Sequence, residues 1–349
     1  YIGFEDRTYD GITLGLGQSY NLKAVMVEGL ELEEVVVSTT RGDLIDPDKT
    51  GASLNLSREK IDALPTISRS INDFTRLTPQ SNGTSFSGTS SRFNNYTIDG
   101  NIYNNNFGLG SGQFAGSNPI SLDVIEEVQV NLAPFDVRLA GFTGASVNAI
   151  TKSGTNEFKG TAYYYLRNDQ MIGDKLEDVR LNIGDSKNQI KGVSLGGPII
   201  KNKLFFFVNY EEETEAIPSF NKVAARDGLT PDGLTVSRVP ASQLDFVRER
   251  MLALYGYETG PYENYGFASE QTRFNARLDW NINQNNKFSL RYNKYEAFTD
   301  VPTNGNSIRF IQTRFTNTDR TGIEAMNFRN TNYTNDRLVE SLVAELTSR

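Results

Sequence analysis

The residues with the clearest chemical potential are three consecutive glutamates, Glu211, Glu212 and Glu213. Carboxylates act as general acids and bases, or bind cations, when several of them converge on one point. Adjacent side chains of a β-strand point to opposite faces, so we expect these three acids to lie at a solvated strand end. The sequence contains no histidine and no cysteine. Catalytic triads, thiol chemistry, disulfides and histidine-based zinc sites are therefore excluded, and we do not expect an enzyme.

Motifs for nucleotides, calcium and nucleic acids are missing from the sequence. No G-x-x-x-x-G-K-[ST] segment is present to bind a nucleotide phosphate. Residues 104–118 are rich in Asn, Gly and Ser, but their spacing does not match the calcium loop D-x-[DN]-x-[DN]-G, so we interpret them as a loop. The net charge is −8, whereas binding to phosphate needs a basic surface. We predict a chain without a cofactor, a metal site or a nucleic-acid partner.

Alternation of polar and apolar residues predicts long β-strands after residue 155. Segment 272–283 alternates most regularly. One of its faces carries Phe274, Ala276, Leu278, Trp280 and Ile282, and the other carries Arg273, Asn275, Arg277, Asp279 and Asn281. Segments 188–200 and 203–213 form another pair of strands around a short turn. We expect about six strands in this half, the last near residues 338–346.

This alternation fits either a soluble sandwich or a membrane barrel, because both have one wet and one apolar face. No run of about 18 apolar residues is present, so a membrane-spanning form of this chain has to be a barrel. Trp280 and Phe288 flank a tight turn, and aromatic residues gather where barrel strands meet the membrane interface. Short turns near Asn202 and Asn285 alternate with long connections, as in outer-membrane barrels. These features favour the barrel.

The longest connection between these strands contains a predicted surface helix. The segment ASQLDFVRERMLALYGY places five apolar residues at mostly helical spacing: Leu244, Phe246, Val247, Met251 and Leu254. Such a helix either packs the loop that contains it or serves as a lid or partner site.

Residues 50–155 have a compact α/β pattern with two short predicted helices. Ser57 precedes the segment REKIDAL and is predicted to cap the first helix, although Lys60 leaves the capping box incomplete. The second helix is predicted in segment 68–77, where Ile71, Phe74 and Leu77 lie at helical spacing.

A hairpin turn is predicted in the same region. Thr97 and Ile98 lead into Asp99 and Gly100, and an Asp-Gly pair after a strand is a strong signal for a two-residue hairpin turn.

Ahead of this region lies a short acidic and β-branched segment, LELEEVVVSTT, at residues 30–40. A run of this kind can add a strand to an exposed sheet edge of another protein, with main-chain hydrogen bonds providing affinity. Alternatively, the three valines form an internal strand of the following domain. The residues concerned are Glu33, Glu34, Val35, Val36, Val37 and Ser38.

The strand DVIEEVQV at residues 123–130, a Gly-rich turn, and VNAITKSGTNEFKG at residues 147–160 together resemble the plug-to-barrel junction of TonB-dependent outer-membrane receptors. The resemblance is to the large Oar-like and SusC-like receptors of Bacteroidetes. It implies an α+β plug domain followed by antiparallel transmembrane β-barrel strands. Plugged transporters use about 22 strands, so the chain is expected to be the N-terminal part of a larger receptor.

The resemblance also implies a domain order. Residues 1–29 resemble the end of a carboxypeptidase-regulatory-like β-sandwich domain, with an unrelated β-hairpin as the alternative. Residues 30–49 would contain the TonB-box-like segment, residues 50–155 the plug, and residues 156–349 the first barrel strands and loops. In related plugs a small residue pair follows the hairpin turn, whereas Asn101 and Ile102 follow it here, so no ligand contacts are carried over.

The expected function is import of a ligand through a plugged barrel in the outer membrane, energised by TonB. Expected partners are the TonB C-terminal domain, outer-membrane lipids, a surface lipoprotein lid, and a ligand that is a glycan, a peptide or a siderophore. The alternative is an outer-membrane barrel that docks or supports a surface or secretion assembly.

We predict that a peptide spanning residues 30–40 binds the isolated TonB C-terminal domain. Val36→Pro removes one backbone donor and restricts φ at the centre of the pairing. We therefore expect the affinity of the variant peptide to fall by roughly tenfold or more. Calorimetric titration of both peptides measures the difference. If the native peptide does not bind, the TonB-box assignment is wrong.

Overall fold

The structure of the chain is a computed structural model. It describes residues 53–66, 69–104, 118–132, 140–173, 175–176, 179–180, 185–218, 222–232, 235–302 and 325–348. The predicted sandwich-domain tail at residues 1–29 and the TonB-box-like residues 33–38 lie outside these ranges. The chain divides into two compact units, Tyr1–Lys152 and Ser153–Arg349.

The first unit is built around a mixed five-stranded sheet with the order β1-β6-β7-β4-β5. Among the described strands of this sheet, only β4 and β7 pair in parallel. Its elements are β1 (Ser53–Ser57), α1 (Arg58–Ala63), α2 (Ile71–Thr75), β2 (Ser81–Asn82), β3 (Ser85–Phe86), β4 (Asn95–Ile98), β5 (Asn101–Ile102), β6 (Ile125–Asn131) and β7 (Ser146–Thr151).

Buried apolar side chains alternate with more exposed residues along the central strands of this sheet, and they form the core of the first unit. In β6, Ile125, Val128 and Val130 are buried, and Val147 in β7 is buried as well. Phe74 of α2 is fully buried too. The first unit therefore has an apolar core of its own, which the short helices and strands help to enclose.

The two short helices begin differently from the sequence prediction. Ser57 occupies the N-cap position of α1, as predicted. The prediction that its side chain caps the helix was wrong, because this side chain makes no capping hydrogen bond. Ser70 caps α2 instead, and a capping box with Asp73 is complete. This helix ends at Thr75, earlier than predicted, and Leu77 is exposed.

Asp99 and Gly100 lie between β4 and β5, which pair as an antiparallel hairpin. Both residues have positive φ, 49° and 83°, as a type I′ turn requires. The Asp99 carboxylate also accepts hydrogen bonds from the backbone N–H of Thr151, at 2.9 Å, and from its hydroxyl, at 2.6 Å. The turn therefore also holds the end of β7.

The second unit contains a six-stranded antiparallel sheet with the order β17-β16-β15-β12-β11-β8. Within the described residues these strands form an open sheet and not a closed barrel. The sheet strands are β8 (Lys159–Asn168), β11 (Lys187–Ile200), β12 (Leu204–Pro218), β15 (Gly266–Asn281), β16 (Asn286–Val301) and β17 (Tyr333–Ser348). The connections contain β9 (Lys175–Leu176), β10 (Val179–Arg180), β13 (Val223–Ala225), β14 (Val236–Pro240) and α3 (Ala241–Tyr255).

The connections alternate in length, as predicted. Residues 201–203 and 282–285 join strands at one end of the sheet, and residues 169–186, 219–265 and 302–332 join them at the other. At the short-turn end, Trp280 pairs directly with Phe288 across β15 and β16. The strand β15 begins at Gly266, six residues before the predicted start, because its N-terminal part continues the ladder with β12 as far as Pro218.

Two long connections form a shared substructure at the far end of the sheet. Leu244 of α3 packs with Ala224 and Tyr262, and Phe328 from the β16–β17 connection joins the same cluster. Backbone hydrogen bonds from Arg329 to Pro261, at 2.8 Å, and from Asn330 to Thr259, at 3.1 Å, link the two connections. The predicted loop helix is present, and its N-terminal turns help to hold two connections together.

A tyrosine crosses one strand of the sheet above a glycine. Gly192 of β11 lies between Tyr163 of β8 and Glu211 of β12 in the register. The Tyr163 ring lies over Gly192, and its hydroxyl donates to Glu211 Oε2 at 2.6 Å. A Cβ atom at position 192 would overlap that ring. Because Gly192 has no side chain, Tyr163 of β8 can cross β11 and form a hydrogen bond with Glu211 of β12.

Among the described residues, no helix is long and apolar enough to cross a membrane.

We expect Gly100→Val to destabilise the first unit by about 1–3 kcal/mol, because a β-branched residue resists the positive φ at this position. Limited proteolysis of the full-length protein should show faster cleavage within residues 53–152. Gly173→Val is the matched control, since Gly173 has open space for a Cβ and no positive φ. Unchanged protease resistance of Gly100→Val would show that the turn does not constrain the unit.

We expect Gly192→Ala to destabilise the second unit by about 1–3 kcal/mol, because displacement of Tyr163 removes one donor from a buried carboxylate. Denaturant unfolding of the detergent-purified protein measures the loss. In a Tyr163→Ala background the same substitution should cost much less, since the two residues are coupled. Additive effects of the two substitutions would contradict the contact.

Candidate functional site: the polar face of the sheet

The six-stranded sheet buries its polar face. We define this face by the residues that share a side with Arg273 along the strands. Arg273 is 2% exposed and Asn209 is 1% exposed, and other polar members are also buried. They are Ser194, Glu211, Ser269, Gln271, Asn275 and Asn293.

The opposite, apolar face is exposed. In β17, Leu338 and Leu342 are 61% and 69% exposed. Leu346 of the same strand is exposed as well, and so are Trp280 of β15, Tyr210 of β12, and Val193 and Leu195 of β11. A soluble sandwich buries its apolar face and exposes its polar one, so this arrangement is the reverse of a soluble sandwich. It is the arrangement of a barrel wall whose outer face contacts lipid.

The polar face is organised around a buried arginine. Arg273 donates to Glu211 Oε1 and Glu213 Oε2, each at 2.9 Å, and to Gln271 Oε1 at 2.7 Å. Its guanidinium carbon lies 5.8 Å from the ring centroid of Tyr295, whose hydroxyl also donates to Gln271. With Tyr163 bound to Glu211, this group spans five strands. We call it the Arg273 cluster: Tyr163, Glu211, Glu213, Gln271, Arg273 and Tyr295.

Strand register brings the cluster together. Glu211 stands directly opposite Arg273 on β12 and β15, and Arg273 stands opposite Tyr295 on β16. The planar guanidinium group of Arg273 donates to both Glu211 and Glu213, because these residues are two apart in the strand and share one face. The prediction that the three glutamates form a solvated strand end was therefore wrong for these two. Glu212 lies on the other face, where Lys191 contacts it at 2.9 Å.

The chemistry of the Arg273 cluster is that of a fixed polar surface. Its carboxylates are occupied by arginine and tyrosine donors, which leaves them poorly placed for general acid or base work. Within the described part of the chain, no group of three or more His, Cys, Asp or Glu side chains is arranged to hold a metal ion. The cluster is suited to tying strands together on the side of the sheet away from lipid.

The first unit contains a second ionic group near its final strand. Asp123 is buried, and the Lys152 ammonium lies 3.6 Å from its carboxylate. Arg58 approaches Asp123 at 3.9 Å and donates to the carbonyl oxygens of Leu122 and Ile125. Burial lowers the pKa of Lys152, and the negative charge of Asp123 opposes that shift. The group ties α1 and the residue after β7 to the turn before β6.

The structure does not bring the predicted site residues together. Asp99 and Gly100 form a turn in the first unit, and residues 33–38 lie outside the described ranges. Sequence reasoning placed Arg273 and Asn275 on one polar face but missed their partners on β12 and β16. The only signal in the sequence was the parity of Glu211 and Glu213, and parity alone does not give the register between strands.

A family model for the outer membrane beta barrel domain matches residues 150–348, more than half of the chain. Among curated proteins, the TonB-dependent transporter Oar of Myxococcus xanthus is 27% identical over 215 residues. That alignment covers 55% of this chain and 19% of Oar. The chain therefore corresponds to a minor part of this relative's length.

Solved structures align with this chain over about a third of their own length. The outer membrane transporter YddB from Escherichia coli aligns with a TM-score of 0.50 at 15% identity, over 73% of this chain and 34% of YddB. The ferric enterobactin receptor PfeA from Pseudomonas aeruginosa aligns with a TM-score of 0.47 at 15% identity, over 72% of this chain and 34% of PfeA.

The exposed apolar face, the buried polar face and the alternation of short and long connections agree with the family match. The chain belongs to the outer membrane beta barrel domain family and is a protein of the outer membrane.

Proposed function

We propose that this chain is part of a TonB-dependent transporter that imports a ligand through a plugged barrel. The observation that carries the proposal is the order of two units along the chain: a compact α/β unit that ends at Lys152 is followed by a sheet with an exposed apolar face and a buried polar face. The similarity to the transporter Oar supports the same function.

In this proposal the first unit is the plug. It has its own apolar core and short elements, so it can fold separately from the sheet that follows it in the chain. TonB would bind residues 33–38 by strand addition and pull, displacing or unfolding part of the plug. The energy comes from the inner membrane, which agrees with a sequence that has no nucleotide-binding motif.

Ligand capture is assigned to the long connections. The substructure around Tyr262 is fixed by an ion pair between Arg226 and Glu263, and by a hydrogen bond from the Ala224 backbone to Glu263 at 3.0 Å. Burial raises the pKa of Glu263, but the bonds from Arg226 and Ala224 outweigh that effect and hold its pKa below the usual value. A fixed substructure of this kind can present a binding surface. The ligand class we propose is a glycan, a peptide or a siderophore.

A docking role in a surface assembly is the second candidate. Part of the long connections exposes large apolar side chains, including Phe246, Leu254 and Tyr255 of α3. Exposed aromatic and aliphatic residues are typical of protein contact surfaces, for example with a surface lipoprotein lid. A docking protein would keep the barrel and the plug but would not depend on TonB.

Deletion of residues 33–38 separates the two functions. We expect the deletion to abolish ligand uptake, since TonB loses its attachment, while the amount of protein in the outer membrane and its surface exposure stay unchanged. Uptake by whole cells and surface labelling measure the two properties. The matched control replaces Glu33 and Glu34 by glutamine, which keeps every backbone donor and should retain uptake. Normal uptake by the deletion variant would refute TonB dependence through this segment.

A further inference from the structure

Residues 154–158 lie between the first unit and β8, and they contact the hairpin that β11 and β12 form. They belong to the motif VNAITKSGTNEFKG, which the transport function leaves without a role. Gly154 is buried, and the four residues after it are exposed. We call residues 154–158 the clasp. All its contacts described below lie within the second unit.

The clasp begins on the polar face of the hairpin. A Cβ atom at Gly154 would overlap the carbonyl oxygens of Gly197 and Phe206, so the main chain of the clasp lies directly on that of the hairpin. The face follows from Gly196, which shares the polar side of β11 with Ser194. A Cβ atom at Gly196 would lie 3.8 Å from the Gly154 Cα atom.

The clasp ends on the apolar face of the same hairpin. A Cβ atom at Gly197 would overlap the ring of Phe158. The centroid of this ring lies 6.3 Å from that of Phe206, which shares the exposed apolar face with Tyr210. Neighbouring residues of a strand point to opposite faces, so the glycine pair Gly196–Gly197 makes room for the clasp on both faces.

Between these two contacts, Asn156 binds the turn that closes the hairpin. Its side-chain amide donates to Asn202 Oδ1 at 2.6 Å, and its Oδ1 accepts from the Asn202 backbone N–H at 2.7 Å. The Asn202 carbonyl oxygen in turn accepts from the Asn281 side chain at 3.3 Å, which fixes the turn to β15. The clasp therefore holds the hairpin on its polar face, at its turn and on its apolar face.

The residue on the other side of Ser153 is attached to the first unit instead. The Lys152 backbone N–H donates to the Val124 carbonyl oxygen at 2.8 Å, and its ammonium lies 3.6 Å from Asp123. These attachments are lost when the first unit unfolds, because Val124 and Asp123 belong to it. The contacts of the clasp do not depend on the fold of the first unit. Ser153 separates the two sets of attachments.

We propose that the clasp holds the chain to the β11–β12 hairpin when the first unit unfolds or is displaced, so that the movement ends at Ser153. Separation of β8 from β11 would have to begin at Lys159, the first residue of β8, which directly follows the clasp. The clasp thereby protects the edge of the sheet. That the movement occurs during transport rests on the proposed function, whereas the attachment itself does not.

The test follows the clasp in the full-length protein in detergent, as urea unfolds the first unit. The sequence has no cysteine and one tryptophan, so single introduced thiols and Trp280 give separate signals. Thiol labelling of Ala149→Cys, at a position that is 0% exposed, reports unfolding of the first unit. Trp280 fluorescence reports the sheet. Spin labels at Glu157→Cys and Gln284→Cys, both exposed positions of the second unit, report the position of the clasp by pulsed EPR distances.

We expect the distance distribution to keep its native width at urea concentrations where Ala149→Cys is fully labelled and Trp280 fluorescence is unchanged. Asn156→Ala removes two hydrogen bonds, so the released population should rise by at least roughly tenfold. Asn202→Gly tolerates the positive φ of 61° and keeps the backbone donor. It removes one hydrogen bond, so the released population should rise by about fivefold.

Asn188→Ala is the matched control, because Asn188 donates to Glu213 across the same hairpin, at 3.1 Å, and does not belong to the clasp. Its distance distribution should stay narrow. Broadening that accompanies labelling of Ala149→Cys without a further substitution would overturn the proposal. A single transition that includes Trp280 would overturn it too, as would a width that Asn156→Ala does not change. These measurements need neither TonB nor a ligand, so their failure is distinct from a failure of the uptake test.

Discussion

The constraint on which the barrel half of this protein depends is that a sheet in lipid must satisfy every backbone polar group internally and place its apolar side chains outward. Strands of up to 16 residues provide the hydrogen-bonded ladder, and each ladder runs almost without interruption. The alternation of side chains then sorts the two faces. The apolar side chains, which would form the core of a soluble protein, lie on the exposed face of this sheet. The polar side chains lie on its buried face.

A buried polar face needs complete pairing, because each unpaired group there is costly. The Arg273 cluster meets this need with one guanidinium that contacts two carboxylates and a glutamine on the polar face. Tyr163 reaches the same cluster only because Gly192 leaves space above β11.

The connections at the two ends of the sheet differ in length, and this difference is consistent with the position of the sheet in lipid. At the short-turn end, the strands reverse within three or four residues, and Trp280 and Phe288 form a cross-strand pair near the boundary of the apolar face. At the other end, freed from lipid, the connections are long enough to fold on their own. Two of them pack around Tyr262 and Phe328, whose rings are 5.8 Å apart and perpendicular. The sequence of these connections can therefore vary without disturbing the strands of the wall.

The sequence by itself determined the strands, their two faces and the turns, because these depend on local periodicity and on turn chemistry at particular residues. The alternation around Trp280, the Asp99–Gly100 turn and the helix containing Leu244 are all local patterns. The helix caps differ in a way that the sequence also shows, since Asp73 stands three residues after Ser70 and completes its capping box, whereas Lys60 stands three residues after Ser57, whose side chain makes no capping hydrogen bond. Only the tertiary structure decided which face is buried and which strands are neighbours. Glu211 meets Arg273 across 62 residues of chain, and no local pattern encodes a register over that distance. Glu211 and Glu213, which the sequence predicted to be solvated, therefore belong to the Arg273 cluster, because partners supplied by other strands replace the water.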